Sequence, residues 1–278
     1  MTIQEIKKII LSFVAFMLLG MPTAQAKTNL GDQNTMAVAW YQTSAEVKAL
    51  YLQGYNVARN NLATKLATPS EKPKAIILDI DETVLDNSPY QAYNALNNRS
   101  YPHSWDQWVK AAKAKAVPGA KDFLNYANEQ GVQIYYVSDR EQGQLKATIK
   151  NLTAEGLPQA DREHVLLKQK QAKTKEQRRQ QVAQQADVIM LFGDNLSDFN
   201  DPAENTVADR TDDVMQNATQ FGDKYIILPN PMYGNWEAAL YNNNYQQSDS
   251  KKSKLRKSHL TYFDPKTNKV KQTTVTTK

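Results

Sequence analysis

Five short apolar runs recur along the chain, each stopping at polar residues: Ala75–Leu78, Val132–Val137, Val165–Leu167, Val188–Phe192 and Tyr225–Leu228. Runs this short, bounded by turn formers, predict buried strands rather than helices. Between them the apolar positions fall at helical spacing. Pro118-Gly119 opens a helix that carries Phe123, Leu124, Tyr126 and Ala127 and ends near Gly131, and further helices are expected over 142–155, 175–186 and 212–221. Ahead of the first strand, Val38, Tyr41, Ala45, Leu52, Tyr55, Leu62 and Leu66 recur without an intervening proline, which predicts one helix over 35–67. Strands alternating with helices predict an α/β fold with a doubly wound parallel sheet.

Two stretches break the alternation. Residues 87–117 are aromatic and irregular, with Tyr90, Tyr93, Tyr101, His103, Trp105 and Trp108. They read as an insertion rather than as sheet, a small and mostly helical cap beside which the 35–67 helix packs. Residues 246–278 are polar and basic, with no periodic apolar signal over 273–278. No internal repeat is present, which leaves 27–245 as the main domain.

Charge and composition narrow the picture. The chain has 278 residues and a net charge of +5, part of it in Lys251-Lys-Ser-Lys-Leu-Arg-Lys257. That excess is too mild for a general nucleic-acid surface, and the basic run reads as a solvated tail. With no cysteine, there can be no disulfide, thiolate metal site, cysteine nucleophile or lipid-anchor cysteine. At the start, Lys7 and Lys8 precede the apolar run Ile9–Leu19, followed by Ala24-Gln-Ala26. That order predicts a signal peptide over 1–26, cleaved after Ala26. The apolar run is well short of the ~20 residues that a spanning helix needs. The expected product is periplasmic or secreted, with no membrane attachment once the signal is removed.

The polar residues that end the strands carry the candidate chemistry: Asp79, Ser138, Asp194 and Asn230, with lysines shortly after Leu167. Parallel strands bring their carboxyl ends to one edge, where open α/β sheets bind ligands. Taken singly, each of these residues reads as a turn former or helix cap; together they read as a site. Asp79 and Asp81 are one residue apart, and a bend after the strand is needed to use both. One carboxylate can attack an electrophile while the other donates and removes protons. Three carboxylates without cysteine or paired histidines suggest a hard cation, Mg²⁺ foremost, on Asp79, Asp194 and the backbone carbonyl of Asp81. His103, His164 and His259 are isolated and read as incidental.

Asp-x-Asp alone is a weak signal, but the full stretch Ile77-Leu-Asp-Ile-Asp-Glu-Thr-Val-Leu-Asp-Asn-Ser-Pro-Tyr90 is specific. It resembles the first motif of the haloacid dehalogenase (HAD) superfamily and, within it, of the class C bacterial acid phosphatases. A second signature matches as Ile189-Met-Leu-Phe-Gly-Asp-Asn-Leu-Ser-Asp-Phe199. The resemblance covers roughly 35–245. It implies that Asp79 attacks phosphorus to form a phosphoaspartate, and that Asp81 protonates the leaving oxygen and then activates water. It further implies that Ser138 and Lys175 bind phosphate oxygens, Asp198 orients the lysine or the metal shell, and Trp105 and Tyr233 sandwich a nucleobase. Lys168 and Lys173 rival Lys175, and the bland reading of Trp105 and Tyr233 is core packing.

One departure stands out: the family usually has Asn after the Ser or Thr of its second motif, and here it is Asp139. A carboxylate there repels phosphate unless it is paired, with Arg140 as one candidate, or turned away. The expected function is hydrolysis of small phosphomonoesters, 5′-nucleotides foremost and not nucleic-acid polymers. The alternatives are phosphoryl transfer to an acceptor alcohol and a non-catalytic phosphate- or nucleotide-binding protein. Oligomeric state is left open.

Overall fold

The computed structural model describes residues 29–170, 174–200 and 205–273. The predicted signal peptide and Lys173 lie outside these residues. The expected single helix over 35–67 is two helices, α1 (Leu30–Thr43) and α2 (Ala45–Ala67). The break is chemical. Ser44 adopts an extended backbone and its hydroxyl accepts from Val47 N at 3.2 Å, capping the second helix. On α2, Tyr51, Tyr55, Ala58 and Leu62 form the buried stripe.

The chain then enters β1 (Lys74–Leu78), makes a tight turn into β2 (Leu85–Asp86), and forms α3 (Ser88–Leu96) and α4 (Trp105–Ala111) before β3 (Lys115–Ala116). The insertion is thus mainly helical, but β2 and β3 pair antiparallel at its root, a small sheet the sequence did not announce. Gln42 Nε2 on α1 donates to Ser88 Oγ on α3 at 3.2 Å, so the first helix lies on the insertion while the second lies on the sheet.

After α5 (Ala120–Glu129), β4 (Gln133–Glu141) runs past the predicted end at Val137. Then come α6 (Leu145–Ala154), β5 (Val165–Lys168), α7 (Lys175–Gln185), β6 (Asp187–Gly193), α8 (Val207–Gln216) and β7 (Tyr225–Ile227). The expected helix over 212–221 starts earlier because Thr206 and Asp209 form a reciprocal capping box. α9 (Asn235–Leu240), α10 (Asp249–Ser258) and the hairpin β8 (Thr261–Asp264) with β9 (Lys269–Gln272) complete the chain. The polar tail is therefore largely structured over 249–272.

The main sheet has the order β5-β4-β1-β6-β7, all pairs parallel, with β1 at its centre. Alternation along the strands feeds two cores. Ile76, Leu78, Ile134, Tyr136 and Phe192 face α2 and α5, and Ala75, Ile77, Tyr135, Val137 and Leu191 face α7. The order reverses on either side of β1, so its carboxyl end is the switch point at which such sheets bind ligands. No helix among the described residues is long and apolar enough to cross a membrane.

Candidate active site

Asp79 is the residue after β1, and its amide extends the ladder to Phe192 O at 3.0 Å, which fixes its backbone against β6. The chain then bends sharply. Ile80 O accepts from Val84 N and Leu85 N, each at 2.9 Å, and Glu82 takes φ 56°, which is left-handed for a residue with a side chain. The two large tyrosines of α2 brace this turn. Tyr51 donates to Glu82 O at 2.6 Å and Tyr55 to Thr83 O at 2.7 Å.

Lys175 opens α7 directly below. Its Nζ lies 2.8 Å from Asp79 Oδ1 and 2.5 Å from Asp198 Oδ1, with all three side chains buried. The contact to Asp79 is close but poorly aligned for a hydrogen bond, which leaves that buried oxygen with electrostatic attraction only. Asp198 sits in the 3-10 turn Leu196–Asp198 and accepts from Asn195 N at 3.0 Å. Gly193 makes room for it: a Cβ there would fall 2.2 Å from the Asp198 carboxylate. Asp194, just after β6, accepts from Asn230 Nδ2 at 2.8 Å and Thr83 Oγ1 at 3.3 Å.

The charges are out of balance. Carboxylate oxygens of Asp79, Asp194 and Asp198 lie within 4.8 Å of one another, against the single ammonium of Lys175. Burial pushes Asp79 well above the carboxylate range; Lys175 opposes this, and the neighbouring aspartates add to it. Asp194 is pushed up to about 7, by burial and then by Asp198. Burial alone lowers Lys175, but Asp198 and Asp79 outweigh it and hold the ammonium charged. An all-oxygen donor set with excess negative charge and an unaligned buried carboxylate oxygen fits a hard divalent cation. The third carboxylate of this cluster is Asp198; the ligand expected of Asp81 is its backbone carbonyl, and its side chain turns to other partners.

Asp81 faces another partner set. Arg140 reaches Oδ1 through Nη2 at 2.7 Å and through Nε at 3.0 Å, and Asn87 Nδ2 donates to the same oxygen at 2.8 Å. Although the pairing of β4 with β5 shifts register between Ser138 and Glu141, Ser138 and Arg140 are buried and Asp139 is turned outward. Asp139 therefore pairs with Arg178 of α7, at 2.5 Å, and not with Arg140 as one expectation had it. Ser138 is fully buried, and its Oγ accepts from Arg140 N at 3.3 Å. Lys168, at the end of β5, is half-buried and forms no ion pair among the described residues.

Trp105 and Tyr233 are linked to different residues of the Asp81–Glu82 turn, Trp105 through Arg140 to Asp81 and Tyr233 directly to Glu82. The Arg140 guanidinium sits 5.7 Å from the Trp105 ring centroid, and Tyr90 packs edge-on against that ring at 5.0 Å. Tyr233 donates its hydroxyl to the Glu82 carboxyl and also packs on the main core. Glu82 is fully buried, also accepts from Asn87 N at 2.7 Å, and is pushed well above the carboxylate range by burial, then by Asp81 and Asp194. Asn87 Oδ1 in turn accepts from Trp108 Nε1 of the insertion at 2.7 Å.

Sequence reasoning did not single out Glu82, Asn87, Trp108 or Arg178, or Arg140 as the partner of Asp81. The only available signal was that Glu82 and Asn87 lie inside the motif. An apolar groove of about 360 Å³ between α2 and β7, lined by Leu50, Val57, Tyr225 and Leu228, holds none of these groups. Charge clustering, not volume, locates the site.

Residues 18–236 match the family model of the acid phosphatases of HAD superfamily subfamily IIIB. The class C acid phosphatase from Bacillus anthracis is 51% identical, with a TM-score of 0.83, covering 85% of this chain and 100% of its own. A structure of the same enzyme with tungstate bound matches to the same extent.

Proposed function

The chain belongs to the HAD subfamily IIIB acid phosphatases, enzymes that hydrolyse phosphomonoesters, and we propose that it acts on 5′-nucleotides through a phosphoaspartate on Asp79. The observation that carries the reading is the meeting of Asp79, Lys175, Asp194 and Asp198 at the carboxyl edge of the sheet.

Asp79 attacks phosphorus and the bond to the ester oxygen breaks, while Asp81 gives that oxygen its proton. Asp81 then takes a proton from the water that attacks the same phosphorus, and the bond to Asp79 breaks, releasing inorganic phosphate. Arg140 and Asn87 hold Asp81 in place for both transfers. Lys175 and Ser138 meet the phosphoryl oxygens, and Lys175 offsets the charge that develops there. Asp79 and Asp194, supported by Asp198, would hold the divalent cation, and we assign Mg²⁺ to it. Bound there, it supplies Lewis-acid polarisation and neutralises phosphate charge.

The nucleotide reading rests on Trp105 and Tyr233, aromatic rings linked to the catalytic turn through Arg140 and Glu82. The secreted location rests on the order of charge and hydropathy over 1–26. A panel of 5′-nucleotides, sugar phosphates and aryl phosphates, each assayed with and without chelator, tests the substrate. The reading requires the highest kcat/KM for nucleotides, and equal values across the panel overturn it. Amino-terminal sequencing of exported protein should begin at Lys27.

A further inference from the structure

Positive charge is concentrated in one place. Residues 249–273 carry eight lysines and arginines against two aspartates, a net +6 that exceeds the +5 of the whole chain, so the remainder is slightly acidic. This segment lies beyond residue 236, where the family match ends.

The segment is built onto the body. Arg256 of α10 pairs with Glu237 at 2.5 Å and donates to Tyr241 Oη at 2.6 Å, while Ser253 Oγ accepts from Gln33 Nε2 at 2.7 Å. Those contacts fix the inward face of α10. Its outward face presents Lys251, Lys254 and Lys257, three residues apart and exposed, and none of them has a carboxylate partner among the described residues.

The hairpin that follows adds the opposite character. Phe263 is cross-strand from Val270, and the two are 60% and 75% exposed; Leu260, at the base, is 58% exposed. The other face of the hairpin carries Asp264 and Lys271, paired at 2.5 Å. β8 and β9 join no other described strand, and a lone hairpin with an apolar pair in water is marginal.

Lysines alone would suit any polyanion, and apolar side chains alone would suit a protein groove. Both together, on a molecule otherwise slightly acidic, match an anionic bilayer. Its interface takes apolar tips at headgroup depth while lysines stay at the phosphates with their alkyl stems buried. We propose that residues 249–273 are a docking surface for anionic phospholipid membranes. This differs from the expected solvated tail and from the expected lack of membrane attachment, and it holds whatever phosphomonoester the enzyme takes.

The test uses the chain without residues 1–26, whose apolar run would itself bind lipid, and co-sedimentation with phosphatidylglycerol-containing or pure phosphatidylcholine vesicles. Binding should require phosphatidylglycerol and weaken with salt. Each lysine near the surface contributes about fivefold, so Lys251→Gln with Lys254→Gln and Lys257→Gln should lower partitioning by roughly 100-fold. Phe263→Ser with Val270→Ser should lower it by about tenfold. Aryl phosphate hydrolysis, unchanged in both variants, reports intact folding.

No sedimentation with phosphatidylglycerol, or full binding by the triple lysine variant, overturns the proposal. So does a Phe263/Val270 variant that binds like its parent while soluble polyphosphate displaces the protein, because the partner is then a polyanionic polymer rather than a bilayer.

Discussion

Asp79 and Asp194 meet because of the sheet: each stands just after the end of a parallel strand, and the strand order carries both to one edge, where Lys175 at the start of α7 joins them. Trp105 and Tyr233 reach the same turn by another route. One comes from the inserted helix α4 through Arg140, the other from the loop after β7 through Glu82. The first group depends on backbone pairing deep in the core. The second depends on individual polar side chains that could be removed one at a time. Changes in the first group should therefore stop the reaction, and changes in the second should alter which esters are taken.

The largest effect is expected at Asp79. Asp79→Asn should lower turnover by roughly 10⁴-fold or more and leave no phosphoenzyme in acid-quenched reactions, because no other group here can serve as nucleophile. Chelation comes next. Exhaustive EDTA should reduce turnover by two or more orders of magnitude, roughly what several kcal/mol of lost charge stabilisation implies, and Mg²⁺ should restore it. Undiminished activity after dialysis against chelator would place the excess carboxylate charge of Asp79, Asp194 and Asp198 outside catalysis. Asp81→Asn should cost about 10²–10⁴-fold for an alkyl ester and less for nitrophenyl phosphate, whose leaving group needs little protonation. An equal loss on both esters would make Asp81 structural.

The same division explains what could be read from the chain. Strand ends and their polar residues are local signals, so the α/β class and the carboxylate cluster are legible in Ala75–Leu78 and Val188–Phe192 from the sequence alone. Ser44 was hidden because a serine within a helical pattern caps a helix only if the chain turns there. Glu82 and Asn87 were hidden for a deeper reason. Their partners, Tyr233 and Trp108, are 151 and 21 residues away, and no spacing rule links them. Arg140 looked like a neighbour of Asp139, and only the continuation of β4 past Val137 shows that the two side chains point apart. The basic tail read as solvated because its apolar residues, Leu260, Phe263 and Val270, follow no long repeat.

Smaller effects test the aromatic side of the comparison. Trp105→Ala and Tyr233→Ala should each raise KM for 5′-nucleotides by roughly one to two orders of magnitude, the range that 1–3 kcal/mol of base stacking implies. Nitrophenyl phosphate should be affected much less. Tyr233→Phe separates the ring from its bond to Glu82. It should keep KM within a few-fold, because the face that stacks is retained and Glu82 still accepts from Asn87 N. If both substrates suffer equally in the alanine variants, the rings are core packing and the division between chemistry and selectivity is wrong.

The smallest effect is expected at Asp139, where the chain departs from the pattern it resembles. A carboxylate next to Ser138 in sequence ought to repel a bound phosphate, yet strand alternation turns it to the opposite face, and Arg178 meets it at 2.5 Å. Its side chain is 58% exposed, so water screens the carboxylate end of the pair, while Arg178 is buried at 3%. Arg178 also keeps two carbonyl acceptors, Ser138 O and Leu166 O, and is not orphaned when the carboxylate goes. Asp139→Asn should therefore change kcat/KM by less than about threefold and stability by no more than about 1 kcal/mol. A tenfold gain in phosphate affinity, read from product inhibition, would show that the Asp139 charge reaches the site. Backbone alternation would then be too weak a screen to separate the two faces of β4.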